Sequence, residues 1–368
     1  MRNSGLRPSG GARKPRRTRK SSRSKTRATK RTDLPVLLLH NLDGSWSPDE
    51  MAQVLHEVSA LESALVEQGH QVVNVPICDT NLEHLLSAYD PEEYVVFNWC
   101  DELPGMPHSD ALVTQTLESL HFAYTGSPSS VLSLSWDKPR VKDLLLRHGV
   151  PTPRWAVYES RQVDDWTCFP AIVKPAGEHC SLGVDEGAVV LGAQELQARI
   201  AYVQEVFQQP ALVEDFIDGR EFHVSLLGGD GACVMLPPAE MDFSAFRDVR
   251  DRLCTFDSKF TPGSTHYKEI RLRIPADMTQ SEYKAMETTA CAAYQILGCR
   301  DYARIDIRLR DGVFYVLDVN PNADISVETS IVCAAEAAGY SYGAMLSHLI
   351  RLAVQRHPRF GAKAPQGR

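Results

Sequence analysis

The sequence has no run of about 18 apolar residues, so no membrane-crossing helix is expected. It has no C-x-x-C pair. Its nine cysteines, Cys78, Cys100, Cys168, Cys180, Cys233, Cys254, Cys291, Cys299 and Cys333, are odd in number and widely spaced. That pattern excludes a disulfide framework and predicts reduced, mostly buried thiols in a cytoplasmic protein. A zinc site from Cys168, His179 and Cys180 has weak spacing behind it. The G-x-x-x-x-G-K-[ST] order of a phosphate loop is missing, and no internal repeat is visible. Acidic residues are missing altogether from residues 1–32, which hold 13 of the 39 Lys+Arg. No apolar core follows that basic stretch, so a secretory signal is not expected.

What is present is an ordinary globular composition, 43% hydrophobic and 23% charged over 368 residues. That length is more than one core usually holds and predicts two or three domains. Beyond the arm, 26 basic residues face 47 acidic ones. The stretch RKPRRTRKSSRSKTRATKR has no apolar periodicity and predicts a disordered basic arm over 1–33. It reads as a binder of nucleic acid or an anionic surface, as a transit-like peptide, or, most simply, as a solvated extension. Nucleic-acid contact is expected only there.

Strands at 34–41, 70–77 and 93–99 and a helix at 48–68 predict an N-terminal three-layer α/β domain over 34–125. A helix from about Ser135 to His148, closed by Gly149, leads through Pro151-Thr152-Pro153 into strands with hairpin signals, among them the Asp230-Gly231 turn. These define a second region, 126–236. A third, 237–355, has a long polar segment, a helix (280–297), a hairpin (301–320) and a C-terminal helix (340–354), followed by a tail, 356–368. The fold class is α/β with α+β.

Four segments carry chemistry. In the hairpin ARIDIRL–RDG–VFYVLDVN, alternation puts Ile305, Ile307 and Leu309 with Tyr315, Leu317 and Val319 on one face. A three-residue loop then places Arg304 and Asp306 with Asp318 and Asn320 on the other. Two carboxylates and an amide oxygen suit Mg²⁺ (or Mn²⁺), and a structural ion-pair cluster around Arg304 is the alternative. In FPAIVKPAGEHCSLGV, Lys174 ends a strand, and Gly177 and Gly183 bracket a loop with Ser181 that could approach a phosphate, or simply turn. In ALVEDFIDGREFHV, Glu214 and Glu221 flank Phe216 and Ile217, which could take an adenine edge and a ribose diol, or form an ordinary surface hairpin. Residues 240–267 read as a long irregular loop, a lid or a solvated segment, in which Lys259 is a mobile positive charge.

Together these segments resemble the ATP-grasp superfamily and, within it, the D-alanine–D-alanine ligases. The resemblance covers residues 34–354 through YTGS, SWDKPRVKDLLLRHGVPTP, IVKPAGEHCSLGV, LVEDFIDGRE, ARIDIRL and LDVNPNADIS, in that order. It implies an ATP-grasp fold behind an N-terminal α/β domain, and an ATP-dependent carboxylate–amine ligase that works through an acyl phosphate. Lys138 and Lys174 would hold ATP phosphates, and 177–183 with Ser181 would be the flap over them. Glu214, Phe216 and Ile217 would take adenine and Glu221 the ribose. Asp306, Asp318 and Asn320 would hold Mg²⁺, and Arg304 would steady the acyl phosphate. Lys259 would lie in a mobile loop. The partners implied are a small carboxylate and an amine, and a homodimer is allowed. The chain departs from the ligases at HNLDGSWSPDE, where they carry a Gly-rich turn and a Glu, at Asp318, where a Glu is usual, in the flap's HCS, and at PNADIS.

Overall fold

The computed structural model describes residues 34–361 except 162, 164, 180, 229–232 and 262. The expected basic arm, the Asp230-Gly231 turn, Cys180 of the conceived zinc site and most of the C-terminal tail fall outside them. No helix among the described residues is long and apolar enough to cross a membrane.

The chain opens with β1 (Val36–Asn41), α1 (Pro48–Glu67), β2 (Val72–Ile77), α2 (Leu82–Leu86), β3 (Val95–Trp99) and α3 (Asp110–Ser119). The strands form a parallel sheet in the order β2-β1-β3. Successive side chains of a strand face opposite ways, so Val36, Leu38, Val95 and Phe97 pack towards α1. Leu37, Leu39 and Val96 pack towards α2 and α3. Helix α1 starts where Ser47 and Glu50 form a capping box ahead of Pro48.

Next come α4 (Ser129–Ser135) and α5 (Lys138–Arg147). The expected helix from about Ser135 is α5, which starts at Lys138, and α4 before it was not expected. Asp137 breaks the run because its side chain caps Arg140 N at 3.1 Å, with Pro139 in the first turn of α5. Strands β4 (Trp155–Tyr158), β5 (Ala171–Pro175) and β6 (Val189–Val190), helix α6 (Ala193–Phe207) and strand β7 (Ala211–Asp215) follow. They make an antiparallel sheet in the order β4-β7-β5-β6. Its Ala171, Val173, Ala211 and Val213 pack on Leu196, Ile200 and Val203 of α6. Ile172, Lys174 and Glu214 are left on the opposite face.

The last part comprises β8 (Arg220–Gly228), β9 (Val234–Met235), β10 (Ala239–Asp242), α7 (Asp257–Phe260), α8 (Thr265–Glu269), β11 (Arg271–Arg273), α9 (Gln280–Leu297), β12 (Asp301–Arg310), β13 (Val313–Asn320), α10 (Ser330–Ala337) and α11 (Tyr342–Val354). The strands form an antiparallel sheet, β11-β10-β8-β12-β13, with β9 also on β8. The expected irregular loop over 240–267 holds two short helices, and its first residues are a strand, because β10 pairs with the open edge of β8 and itself accepts β11. Phe222, Val224, Leu226, Ile305, Ile307, Val316 and Val319 bury one face of this sheet against Met286, Ala290 and Ala293 of α9. Helix α11 returns to the N-terminal sheet, where Met345, Leu346 and Leu349 join the core beside α1.

Two expectations are corrected here. Cys233 and Cys291 are disulfide-bonded, joining the β9 edge to α9, so the cysteines are not all reduced. Nothing in their 58-residue separation signals the pair; it depends on α9 packing over β8 and β9. The β12–β13 turn also has two residues, not three: Arg310 pairs with Val313, and Asp311 and Gly312 both take positive φ, 53° and 77°. A bulge between Asp306 and Ile307 absorbs Leu317, so Ile307 pairs with Val316 and Asp306 with Asp318. Leu317 and Tyr315 therefore leave the core face, and Phe314 and Val316 take their place.

Candidate functional site

The polar face of the β8–β12–β13 sheet meets the Lys174–Glu214 face of the β4–β7 sheet across a cleft. Its space, counting the part open to solvent, is about 850 Å³. The alternation that buries Phe222, Val224, Ile305 and Ile307 leaves Glu221, His223 and Ser225 of β8 beside Arg308, Asp306 and Arg304 of β12. The bulge then brings Asp318 and Asn320 of β13 opposite Asp306 and Arg304.

Arg304 donates to both oxygens of Asp306, at 2.7 and 2.9 Å. Asn320 Nδ2 donates to Asp306 Oδ2 at 3.2 Å and to the Arg304 carbonyl at 3.3 Å. Burial opposes the charge on Asp306, but Arg304 above all holds its carboxyl below the usual range. Asp318 accepts from Lys138 Nζ at 2.5 Å. Burial again opposes ionisation, and Lys138, followed by His179 and Lys174, holds Asp318 far below the ordinary carboxylate range. Both carboxylates are therefore charged, and the pair offers hard oxygen donors in the cleft wall.

Glu214 lies between two lysines: Lys174, at 2.5 Å, lines the cleft with it, and the buried Lys142 contacts it as well. Lys142 Nζ also donates to Thr152 Oγ1 at 2.9 Å, and that hydroxyl donates to the Val316 carbonyl at 2.8 Å. Burial drives Lys142 downward, and Glu214 only partly offsets it. Burial opposes the charge on Lys174, but Glu214, with Asp318 and Asp306, raises it, and the two lysines together hold Glu214 below its usual value. Glu221 accepts from Arg308 Nε at 2.7 Å, and Arg308 also donates to the Ile217 carbonyl at 2.9 Å and stacks 4.5 Å from the Phe216 ring. Phe216 and Ile217 line the same cleft.

The flap crosses the cleft. Gly183 has φ +75°, and a Cβ there would sit 2.7 Å from the Pro175 ring, so glycine is required twice over. Gly177 needs no such freedom; its N–H donates to Gln209 Oε1 at 3.1 Å. Ser181 and Lys259, far apart in sequence, meet: Lys259 Nζ donates to Ser181 Oγ at 2.9 Å, and that hydroxyl donates to the Cys254 carbonyl at 3.0 Å. His179 packs edge-on against Trp136, whose other side stacks on His108. Burial pushes His179 down to about 4. Cys168 packs with the α6 core rather than lining the cleft with His179.

The structure thus gathers Ser181, Lys259, Lys138, Lys174, Glu214, Phe216, Ile217, Glu221, Asp306 and Asp318 on one cleft. Arg304 and Asn320 stand directly behind Asp306, while Gly177 and Gly183 bracket the flap. Sequence reasoning missed Lys142, His223, Arg308 and Cys254. The period-2 pattern that placed Arg304 and Asp306 on the polar face also places Arg308 and His223 there. Lys142 and Cys254 had no such signal, because helix and loop positions become neighbours only through the fold. In PNADIS, Asn322 donates to Asp101 Oδ1 at 3.1 Å and accepts from Tyr302 at 3.0 Å.

A family model described as the C-terminus of D-ala D-ala ligase matches residues 148–351. An uncharacterized protein of Sinorhizobium fredii is 31% identical over 307 residues, 80% of this chain and 86% of its own. A D-alanine–D-alanine ligase of Syntrophotalea carbinolica is 31% identical over 295 residues, 79% of this chain and 88% of its own. The crystal structure of the D-alanine–D-alanine ligase of Bacillus anthracis complexed with ATP superposes with a TM-score of 0.66 at 20% identity, over 88% of this chain and 98% of that one, which shows a common fold. The chain belongs to the D-alanine–D-alanine ligase family of ATP-dependent carbon–nitrogen ligases.

Proposed function

We propose that this chain joins a small carboxylate to an amine at the expense of ATP, with the cleft between the two antiparallel sheets as its active site. The observation that carries the reading is the facing pair Asp306–Asp318, with Lys138 and Lys174 converging on the same cleft. The carboxylate takes the terminal phosphoryl group of ATP, leaving ADP and an acyl phosphate. The amine then forms the new C–N bond as phosphate departs. The protein's part is positioning and charge neutralisation.

Lys138 and Lys174 supply positive charge for the phosphates. Glu214, with Phe216 and Ile217, presents an acceptor and an apolar edge for adenine, and Glu221 an acceptor for the ribose diol. The paired carboxylates and the free amide oxygen of Asn320, whose nitrogen is already spent on Asp306, form an all-oxygen donor set that fits Mg²⁺. Bound there, Mg²⁺ would neutralise phosphate charge. Arg304 lies directly behind Asp306, where a fixed donor can steady negative charge on the acyl group. The Ser181–Lys259 contact holds the flap across the cleft, where it excludes water from a hydrolysable phosphate. The site is proposed to be shared by two lobes, 126–236 and 237–355, behind an N-terminal domain, 34–125.

The test is phosphate release from ATP and Mg²⁺ with a panel of amino-acid pairs, in the native chain and in Asp306→Asn and Asn320→Ala. Turnover with at least one pair is expected, with about 100-fold loss or more in Asp306→Asn at unchanged circular dichroism. Turnover with D-alanine alone would make the chain a D-alanine–D-alanine ligase proper. Unchanged turnover in both variants would refute the metal assignment, and nucleotide binding without turnover for any pair would favour a nucleotide-binding module.

A further inference from the structure

Glu221, His223 and Cys254 bring a carboxylate, an imidazole and a thiol together, with their donor atoms within 4.8 Å of one another. In a tetrahedral zinc site, bonds of about 2.0–2.3 Å set donor atoms roughly 3.3–3.8 Å apart. His223 Nε2 stands 3.9 Å from Glu221 Oε1. The three donors therefore need to close by about 1.3 Å or less to share one cation.

Each ligand is also held from behind, leaving one donor free. The second imidazole nitrogen of His223, Nδ1, shares a hydrogen bond of 3.2 Å with Ser330 Oγ at the start of α10. The second oxygen of Glu221, Oε2, is held by Arg308 at 2.6–2.7 Å. The Cys254 carbonyl is pinned by Ser181 at 3.0 Å. Outer contacts of this kind orient metal ligands and strengthen binding. His223 and Glu221 are buried, Cys254 is half-buried, and all three line the open cleft, so an ion has a route in. Arg304, Arg308 and Lys259 are the nearby positive charges, and each already has an oxygen partner, in Asp306, Glu221 and Ser181.

We propose that Glu221, His223 and Cys254 form a binding site for a borderline-soft divalent cation, Zn²⁺ foremost, separate from the oxygen-only pair Asp306–Asp318. Thiolate and imidazole select such ions over Mg²⁺, which prefers oxygen. Binding releases the thiol proton to solvent as the S–metal bond forms. Glu221 is also the acid assigned to the ribose, so the cation and nucleotide exclude each other. The site is a zinc-sensitive off-state of the ligase.

The test titrates Co²⁺, as a spectroscopic stand-in for Zn²⁺, into the full chain without nucleotide, in a non-chelating reductant. One equivalent should give the near-ultraviolet thiolate-to-cobalt charge-transfer band and the intense visible bands of a tetrahedral ion. Zn²⁺ should displace it and Mg²⁺ should not. Cys254→Ser should abolish the thiolate band, Ser330→Ala should weaken affinity about 10–100-fold through His223, and Cys78→Ser and Cys333→Ser should leave both unchanged. Independently of any variant's folding, Zn²⁺ should protect Cys254 of the native chain from alkylation, as mapped by mass spectrometry. A missing thiolate band, a band that survives Cys254→Ser, or equal alkylation with and without Zn²⁺ would overturn the proposal. These readouts use no nucleotide, so their failure is separate from failure of the ligase reading. Excess adenosine, which carries the ribose diol but no chelating phosphates, should release the cobalt; simultaneous binding would overturn the exclusion.

Discussion

Replacing Lys142 by methionine tests the charge packing beneath the cleft. Lys142 is 2% exposed, as is Glu214, and the two are in direct contact. Removing the ammonium strands a buried carboxylate, a change that costs about 3–5 kcal/mol where no other partner remains. Here Lys174 still reaches Glu214 at 2.5 Å, and methionine keeps most of the apolar stem. The lower end, about 3 kcal/mol or a factor of roughly 150 in the folding equilibrium, is therefore expected. Urea unfolding followed by tryptophan fluorescence measures it as a lower midpoint at unchanged slope. Adding Glu214→Gln should restore most of the loss, because the stranded charge is gone while Lys174, at the cleft surface, can turn to solvent. A single variant within about 0.5 kcal/mol of the native chain, or a double variant whose losses simply add, would refute the reasoning.

Gly183→Ala should loosen the flap by about 1–2 kcal/mol, from the left-handed backbone and the Pro175 clash, read as faster proteolysis within 177–183 with little change in global unfolding. Arg308→Lys cannot reproduce the guanidinium's contacts with Glu221 and the Ile217 carbonyl, so the unfolding free energy should fall by about 2 kcal/mol or more; a neutral result would mean Arg308 does not order Glu221. Asp101 is an exposed side chain, and the desolvation it does meet, followed by Asp324, Asp110 and Glu102, raises its carboxyl above the usual 3.8. The folded state therefore holds that proton longer than the unfolded chain does, and stability falls as pH rises above about 4. Asp101→Asn should flatten the melting temperature over that window, and an unchanged slope would show that Asp101 is not the group responsible.

Much of this site was legible because β-strands repeat every two residues. Once Ile305 and Ile307 were assigned inward, Arg304 and Asp306 had to point outward, and the same parity put Asp318 and Asn320 opposite them. The device that achieves this was not legible. A two-residue turn with regular pairing would turn Asp318 and Asn320 to the core face, and only the looping out of Leu317 restores them. A bulge leaves no mark in composition, since it is decided by the whole ladder against β8 and α9. Unlike the helix start at Asp137, which is local, a side-chain cap ahead of Pro139, the disulfide and the strand at Ala239–Asp242 were hidden for the same reason: each depends on a partner brought from elsewhere in the chain. Helix α11 shows this most plainly, for its amphipathic pattern says that it packs but not that it packs beside α1 on the first sheet.

The ion pairs also bear on how the proposed reaction would be readied. Lys138 is spent on Asp318, Lys174 on Glu214 and Arg304 on Asp306, so the cations assigned to phosphate and acyl groups are each held by an acid assigned to metal or adenine. Bringing in an anionic nucleotide together with a cation exchanges partners rather than creating charge: lysine turns to phosphate as the carboxylate turns to metal. Each buried group keeps a counter-charge throughout, which avoids the several kcal/mol that an unpaired buried ion costs. Nucleotide alone would leave Asp318 without its lysine, and cation alone would compete with that lysine. The two should therefore bind cooperatively, and Lys138→Met should weaken nucleotide affinity while strengthening binding of the cation by itself. Equilibrium dialysis of Mn²⁺ with and without nucleotide measures both terms, and independent binding in the native chain would show that the pairs are not exchanged.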